Sequence, residues 1–290
     1  MSILITNIKE LLQVRETNVT VVWGDEMKVL PSLKNAYVLI EHDTIVEFGS
    51  MEDIGNYEVE QVIDATDKLV LPAWCDSHTH VVYAGDRTQE FVDRIHGLSY
   101  EEIANRGGGI LNSAEKLQNT SEEELFEQSI KRVDEMIQMG TGAIEIKSGY
   151  GLTPEAELKM LRVVKRIKKE SKAKIKATFL GAHAFPKAYK DNPSAYVDEI
   201  INTMIPQVAE EELAEFIDVF CEKGYFSLED TERILEAGSK YMLTPKVHVN
   251  QFNAFGGVPL AVKYNALSVD HLEELNDEDI AALKPSRTMP

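Results

Sequence analysis

The sequence predicts an α/β protein: a (β/α)8 TIM-like barrel, C-terminally truncated to about six of the eight strands that closure needs, behind a small N-terminal β-sandwich-like domain. Three observations predict it. Residues 1–67 carry short β-branched runs separated by turns, with no helix caps and no long 3.6-residue periodicity. From residue 68 to residue 290, apolar strand-like runs alternate with amphipathic helices. Polar residues capable of chemistry collect at the C-terminal ends of those runs, the face on which barrels build active sites.

In the first domain the strands are expected over 3–8, 18–22, 36–41 and 44–48. In the second they are expected over 69–75, 143–147, 175–180, 217–221, 246–249 and 267–269. These runs are short and continuously apolar or mixed, as parallel strands covered on both faces should be. The helices between them have readable ends. Ser121 with Glu124 forms a capping box, and Gly140 follows that helix. Thr153 caps a helix whose first residue is Pro154. Ser227 starts another that stops near Gly238.

Bulk properties narrow the function. A chain of 290 residues with 43% hydrophobic and 27% charged residues is globular. The formal net charge of −19 argues against nucleic-acid binding, which needs a basic face, and an anionic substrate would require a local cation. No apolar run reaches the ~20 residues of a membrane span, and the start lacks the pattern of a signal peptide, so a cytoplasmic location is expected. The two cysteines, Cys75 and Cys221, lie in apolar runs and are expected as buried free thiols.

Five of the seven histidines stand at predicted strand ends: His78, His80, His183, His248 and His271. Asp76, Lys147, Tyr150, Glu222 and Gln251 join them. On an extended strand, residues i and i+2 point to the same side, so His78 and His80 can reach one ion. A third histidine from another strand end completes an open-sided set of the kind that catalytic zinc uses, and His248 fits. Taken singly, each of these residues could be an ordinary polar group at a loop start.

The segments DSHTHVVYAGDR (76–87), NRGGGIL (105–111), EIKSGYGL (145–152), FLGAHAFP (179–186), DVFCEKGYF (218–226) and SVDHLEEL (268–275) resemble, in order, those of the imidazolonepropionase family within the metal-dependent amidohydrolases. The resemblance runs through essentially the whole chain. It implies hydrolysis of the cyclic amide bond of 4-imidazolone-5-propanoate to N-formimidoyl-L-glutamate, in histidine degradation, with water activated by one zinc or iron ion as nucleophile. Carried over by position, it makes His78, His80 and His248 metal ligands. Arg87, Tyr150, His183 and Gln251 become substrate contacts, and His271 lies beside the attacking water. Histidine is the side-chain type suited to shuttling a proton near neutral pH, which fits His271 to that role, whereas Gln251 can orient the reactants but not act as a base. Arg87 offers a two-pronged donor for the propionate. It could instead pair with Glu90 or Asp86, Tyr150 could be a packed aromatic, and His183 could support a ligand rather than touch substrate. The glycines of 105–109 lack the G-K-[ST] of a phosphate loop and read as a loop over the barrel mouth. Lys147 invites a carbamylated, two-metal reading, but the resemblance implies one ion with Lys147 in a supporting role. It also implies a homodimer.

Members of that family are longer. They add two barrel strands, an aspartate metal ligand and an Asn-Pro-Gly substrate segment that this chain lacks. The chain is therefore expected to be a truncated form, inactive and poorly stable alone. Two other readings stay open: another mononuclear amidohydrolase, such as a deaminase of a nitrogen heterocycle, and a non-catalytic metal-binding remnant.

Overall fold

The computed structural model describes residues 1–15, 19–86, 88–98, 102 and 110–290. The chain divides into two compact units, Met1–Ala73 and Trp74–Pro290.

The first unit is one five-stranded sheet. Strands β1 (Ser2–Leu12), β2 (Ser32–Glu41), β3 (Thr44–Ser50) and β4 (Gln61–Asp64) lie in the order β3-β2-β1-β4, and β5 (Leu69–Val70) also pairs with β1. β1 runs antiparallel to β2 and parallel to β4 and β5. Its register slips between Ile5 and Ile8, where Asn7 takes a left-handed φ of 54°. Small apolar clusters form on both faces: Ile8, Leu11, Ala36, Val38 and Ala65 on one, Leu4, Tyr37 and Leu39 on the other. The strand expected over 18–22 does not form at residues 19–22, and residue 18 lies outside the described residues. β4 was not foreseen.

The second unit is a parallel barrel sheet. β6 (Trp74–Thr79), β7 (Thr141–Lys147), β8 (Lys174–Ala182), β9 (Phe216–Cys221), β10 (Thr244–Pro245), β11 (Val247–Val249) and β12 (Val269–His271) give the order β12-β11-β9-β8-β7-β6, with β10 also on β9. Among the described residues β6 and β12 are the two edges, so the barrel is not closed. The strand expected over 69–75 is in fact two. Leu69–Val70 joins the small sheet and Trp74–Thr79 the barrel. Pro72 stands between them and has no N–H to continue a ladder. The unit boundary accordingly falls after Ala73, six residues beyond the position expected from the sequence. The last strand begins two residues later than expected, which makes His271 its final residue.

The helices are α1 (Thr88–Ile95), α2 (Ile110–Asn119), α3 (Glu122–Gln138), α4 (Pro154–Glu170), α5 (Pro193–Glu199), α6 (Ile205–Glu210), α7 (Leu228–Ser239), α8 (Gly257–Lys263) and α9 (Asp277–Leu283). Their starts follow the sequence. Ser121 Oγ accepts from Glu124 N, Thr153 Oγ1 from Ala156 N ahead of Pro154, and Ser227 forms a complete capping box with Asp230. A π-turn over Ile200–Met204 joins α5 to α6 just ahead of Pro206, whose missing N–H breaks the regular helical ladder. α4 buries Leu158, Leu161, Val164 and Ile167 against β8 and its neighbours, so the parallel strands are covered as their apolar runs require. Cys221 is buried, as expected, and burial raises its thiol pKa to about 11. Cys75 is exposed, contrary to expectation, because it sits on an edge strand. Among the described residues no helix is long and apolar enough to cross a membrane.

Candidate active site

Because the barrel strands run the same way, their C-terminal ends deliver side chains to one place. His78 lies on β6 and His80 immediately after it, with ring centroids 5.5 Å apart. His248, in the middle of β11, brings its ring to 4.5 Å from His78 and 5.9 Å from His80. One ligand atom from each of the three lies within 4.8 Å of the other two. His271, at the end of β12, is 5.3 Å from His78 and 5.1 Å from His248. Its φ of 84° and the 55° of Leu272 turn the chain sharply off the strand. His183 follows β8 and stacks on His80 at 5.1 Å, and Tyr150 contacts both rings at 5.3 and 5.4 Å. A cavity of about 570 Å³ opens beside this cluster, lined by Tyr150, His183 and Gln251 together with Arg94, Phe220 and Tyr225. Arg87 and the glycines at 107–109 lie outside the described residues.

The ring nitrogens are oriented from behind. Asp218, fully buried on β9, holds His248 Nδ1 at 2.8 Å and accepts from its backbone N at 3.0 Å. That leaves His248 Nε2 buried and without a hydrogen-bond partner, and His80 Nδ1 is in the same state. Asp270 Oδ2 stands 3.0 Å from His78 Nδ1. A buried polar atom without a partner is costly, and two of them beside a third imidazole are what a metal ion would satisfy. The donor set therefore fits one ion.

Lys147 lies beneath these carboxylates with no exposed side-chain surface. Its Nζ is 2.9 Å from Glu145, 2.8 Å from Asp218 and 3.1 Å from Asp270. Lys246 adds longer contacts to Glu145 and Asp270 and donates to Ser77 O at 3.2 Å. The Lys147 ammonium is thus buried and paired three times. Burial works to lower the Lys147 pKa, but Asp218, Glu145 and Asp270 overcome it and hold the group charged. Burial likewise works to raise Asp218, and His248 with Lys147 outweighs it, so Asp218 stays ionised. Burial and the neighbouring imidazoles depress His80 well below 6.5 and His183 to about 3. Burial brings His248 to about 4 against the opposing pull of Asp218. Neutral imidazoles are the form that binds metal.

Other loops are pinned by carboxylates that sequence reasoning passed over or left without a role. Glu222 accepts from the backbone N of Lys223, Phe252 and Asn253 and so fixes the segment carrying Gln251. Asp218 and Asp270 were overlooked too. The available signal was a charged residue inside an otherwise apolar buried strand, as in IDVFC, which demands a partner.

A parallel barrel whose first strand ends in His-x-His, with a third histidine from a later strand, has the architecture of the metal-dependent amidohydrolases. Comparison with solved structures supports that fold. A guanine deaminase from C. acetobutylicum superposes with a TM-score of 0.61 at 13% identity, over 99% of this chain and 66% of that one. A 5-methylcytosine deaminase from Klebsiella pneumoniae gives 0.60 at 11%, over 93% of this chain and 58% of that one. No protein-family model matches the chain. Curated relatives are much nearer in sequence. The imidazolonepropionase of Christiangramia forsetii is 63% identical over all of this chain, which spans 71% of its length. That of Flavobacterium johnsoniae is 61% identical over 99% of this chain and 70% of its own length, and that of Clostridium tetani 43% identical over 92% and 64%. The chain belongs to the imidazolonepropionase family.

Proposed function

We propose that the chain acts in the hydrolysis of 4-imidazolone-5-propanoate at its cyclic amide bond, giving N-formimidoyl-L-glutamate, with one zinc or iron ion held by His78, His80 and His248. The observation that carries this reading is the convergence of three imidazoles, two with an unpartnered buried nitrogen, beside the cavity that Tyr150, His183 and Gln251 line. When bound, the ion supplies Lewis acidity and lowers the pKa of a water from about 15.7 towards about 7. Asp218 and Asp270 keep the ring nitrogens of His248 and His78 turned to the site. His271 takes a proton from the attacking water and returns it to the departing ring nitrogen. Gln251 orients the substrate without titrating. Tyr150 and His183 hold the imidazolone ring, and Arg87 takes the propionate, as its planar donor pair suits a carboxylate.

The test joins metal analysis to an assay. The intact 290-residue chain is purified, its metal content measured, and ring opening of imidazolonepropanoate followed with and without a chelator. One equivalent of zinc or iron and a chelator-sensitive loss of the ring chromophore would bear out this reading and overturn the expectation of an inactive chain. Ammonia release from heterocyclic amines with no ring opening would instead identify a deaminase. A chain that binds metal but turns over neither substrate would be a binding protein.

A further inference from the structure

Glu157 lies in the first turn of α4 and carries no exposed surface. A carboxylate taken wholly out of water needs several donors to compensate. It has them in the loop after β7. Oε2 accepts from Gly149 N at 2.9 Å, and Oε1 accepts from Gly151 N at 2.7 Å and Leu152 N at 2.9 Å. Ser148 also hydrogen-bonds to this carboxylate and accepts from Leu180 N at 3.0 Å, which ties the same loop to β8. Tyr150 stands between two of the three donors, so its backbone is held on both sides.

The packing leaves no slack. Gly149 has a φ of 111°, and a Cβ there would meet His183 Nδ1 at 2.9 Å and Leu180 O at 3.0 Å. A Cβ on Gly151 would run into the backbone of Glu157 and Ala156. Gly149 is therefore required by conformation and by close approach, and Gly151 by close approach alone. The Gly149 carbonyl, set by the same clamp, lies 3.0 Å from His183 Nδ1 and orients that ring. One buried carboxylate thus governs two of the side chains that line the cavity.

We propose that Glu157 is a positioning residue for the substrate pocket: through Gly149, Gly151 and Leu152 it fixes Tyr150 and, by way of the Gly149 carbonyl, His183. The importance of those two side chains for substrate rests on the proposed function above; the clamp itself does not.

Glu157→Gln is the informative change because it keeps the shape. A carboxamide presents one oxygen and one NH2. At least one of the three backbone donors, Gly149 N if the oxygen keeps the Oε1 position, must then face another donor. In the intact wild-type chain, hydrogen exchange of Gly149, Gly151 and Leu152 is expected to be as slow as that of β8, although they lie in a loop. In E157Q the Gly149 amide is expected to exchange at least about tenfold faster, with β8 and β9 unchanged. KM for imidazolonepropanoate is expected to rise about tenfold while kcat stays within about threefold. Combined with Tyr150→Phe, the effect on KM is expected to fall short of additive, since the two changes share Tyr150. Unchanged exchange in folded E157Q overturns the proposal. So does a lowered melting temperature with KM unchanged, which is the pattern of a purely structural residue. If E157Q does not fold, the wild-type amides decide, and exchange at open-loop rates refutes the clamp. A wild-type chain without turnover sinks the proposed reaction and leaves the exchange arm to decide on Glu157.

Discussion

Replacing Lys147 by methionine removes the cation from a site built around it. The ammonium is 2.8 Å from Asp218, 2.9 Å from Glu145 and 3.1 Å from Asp270. At an effective dielectric of about 20, each contact is worth about 5–6 kcal/mol of attraction before desolvation, which costs several kcal/mol per ion. The pairing itself is therefore a modest net gain, and the larger effect is what its loss leaves behind. Three carboxylates would face one another with only Lys246, at 3.7 and 3.8 Å from two of them, to offset the charge. Breaking a buried ion pair on one side costs about 3–5 kcal/mol. With a urea slope of about 2.5 kcal/mol per molar, the barrel transition should move down by about 1–2 M. Far-UV circular dichroism in urea, on chelator-treated protein, reads this directly. Asp218 and Asp270 also orient His248 and His78, so zinc affinity measured against a competing chelator should fall about 10- to 100-fold. A midpoint shift below about 0.3 M together with unchanged zinc affinity would refute the idea that this lysine neutralises and aims the carboxylates.

Asp218→Asn keeps the volume but weakens the hold on His248 Nδ1; zinc affinity is expected to drop about tenfold or more, measured by metal competition, with little loss of secondary structure. The metal-free chain should lose stability in acid. His183 and His248 have folded pKa values of about 3 and about 4, below their unfolded value near 6.5, so the unfolded chain binds more protons in that window. The contribution of these two histidines then falls as pH drops through about 6.5 and is fully lost near pH 3, while carboxylates held low in the fold, Asp218 among them, continue the loss in stronger acid; a urea midpoint flat from pH 7 to 4 would contradict those shifts. Tyr196→Phe deletes a buried hydroxyl that donates to Gly181 O at 2.9 Å and should cost about 1–3 kcal/mol in thermal or urea unfolding. Gly151→Ala should yield little folded barrel, seen as poor soluble recovery, because the added methyl collides with the α4 backbone.

Much of the site could be read from residue order because histidine placement obeys simple rules. His78 and His80 are two apart at the end of an apolar run, and His248 and His271 close two further runs. Parallel strands then bring those ends together without further information. The cage under the histidines was hidden for the opposite reason. Glu145, Lys147, Asp218, Lys246 and Asp270 come from four strands or their margins, and their meeting depends on sheet register, which no local pattern carries. The break between the units was misplaced because 69–75 reads as one β run; only the donor missing at Pro72 separates Val70 from Trp74. The strand near 18–22 was inferred from β-branched residues alone, a preference that counts only when a neighbouring strand is there to pair with. Glu157 looked like any acidic residue in a first helical turn. Its burial follows from the tight glycine loop folding back over it.

The tie between β6 and β11 bears on the order in which the chain folds. Lys246 reaches Ser77 O across 169 residues of sequence, and His248 meets His78 beside it. Contacts of such separation cannot form until the intervening strands are aligned, since each carries the full entropy of closing its loop. The three-histidine set is therefore expected to be completed at the end of assembly and to come apart at the beginning of unfolding. A rapid-mixing measurement of zinc uptake during refolding would time the last stage of barrel formation, and helical signal should precede it.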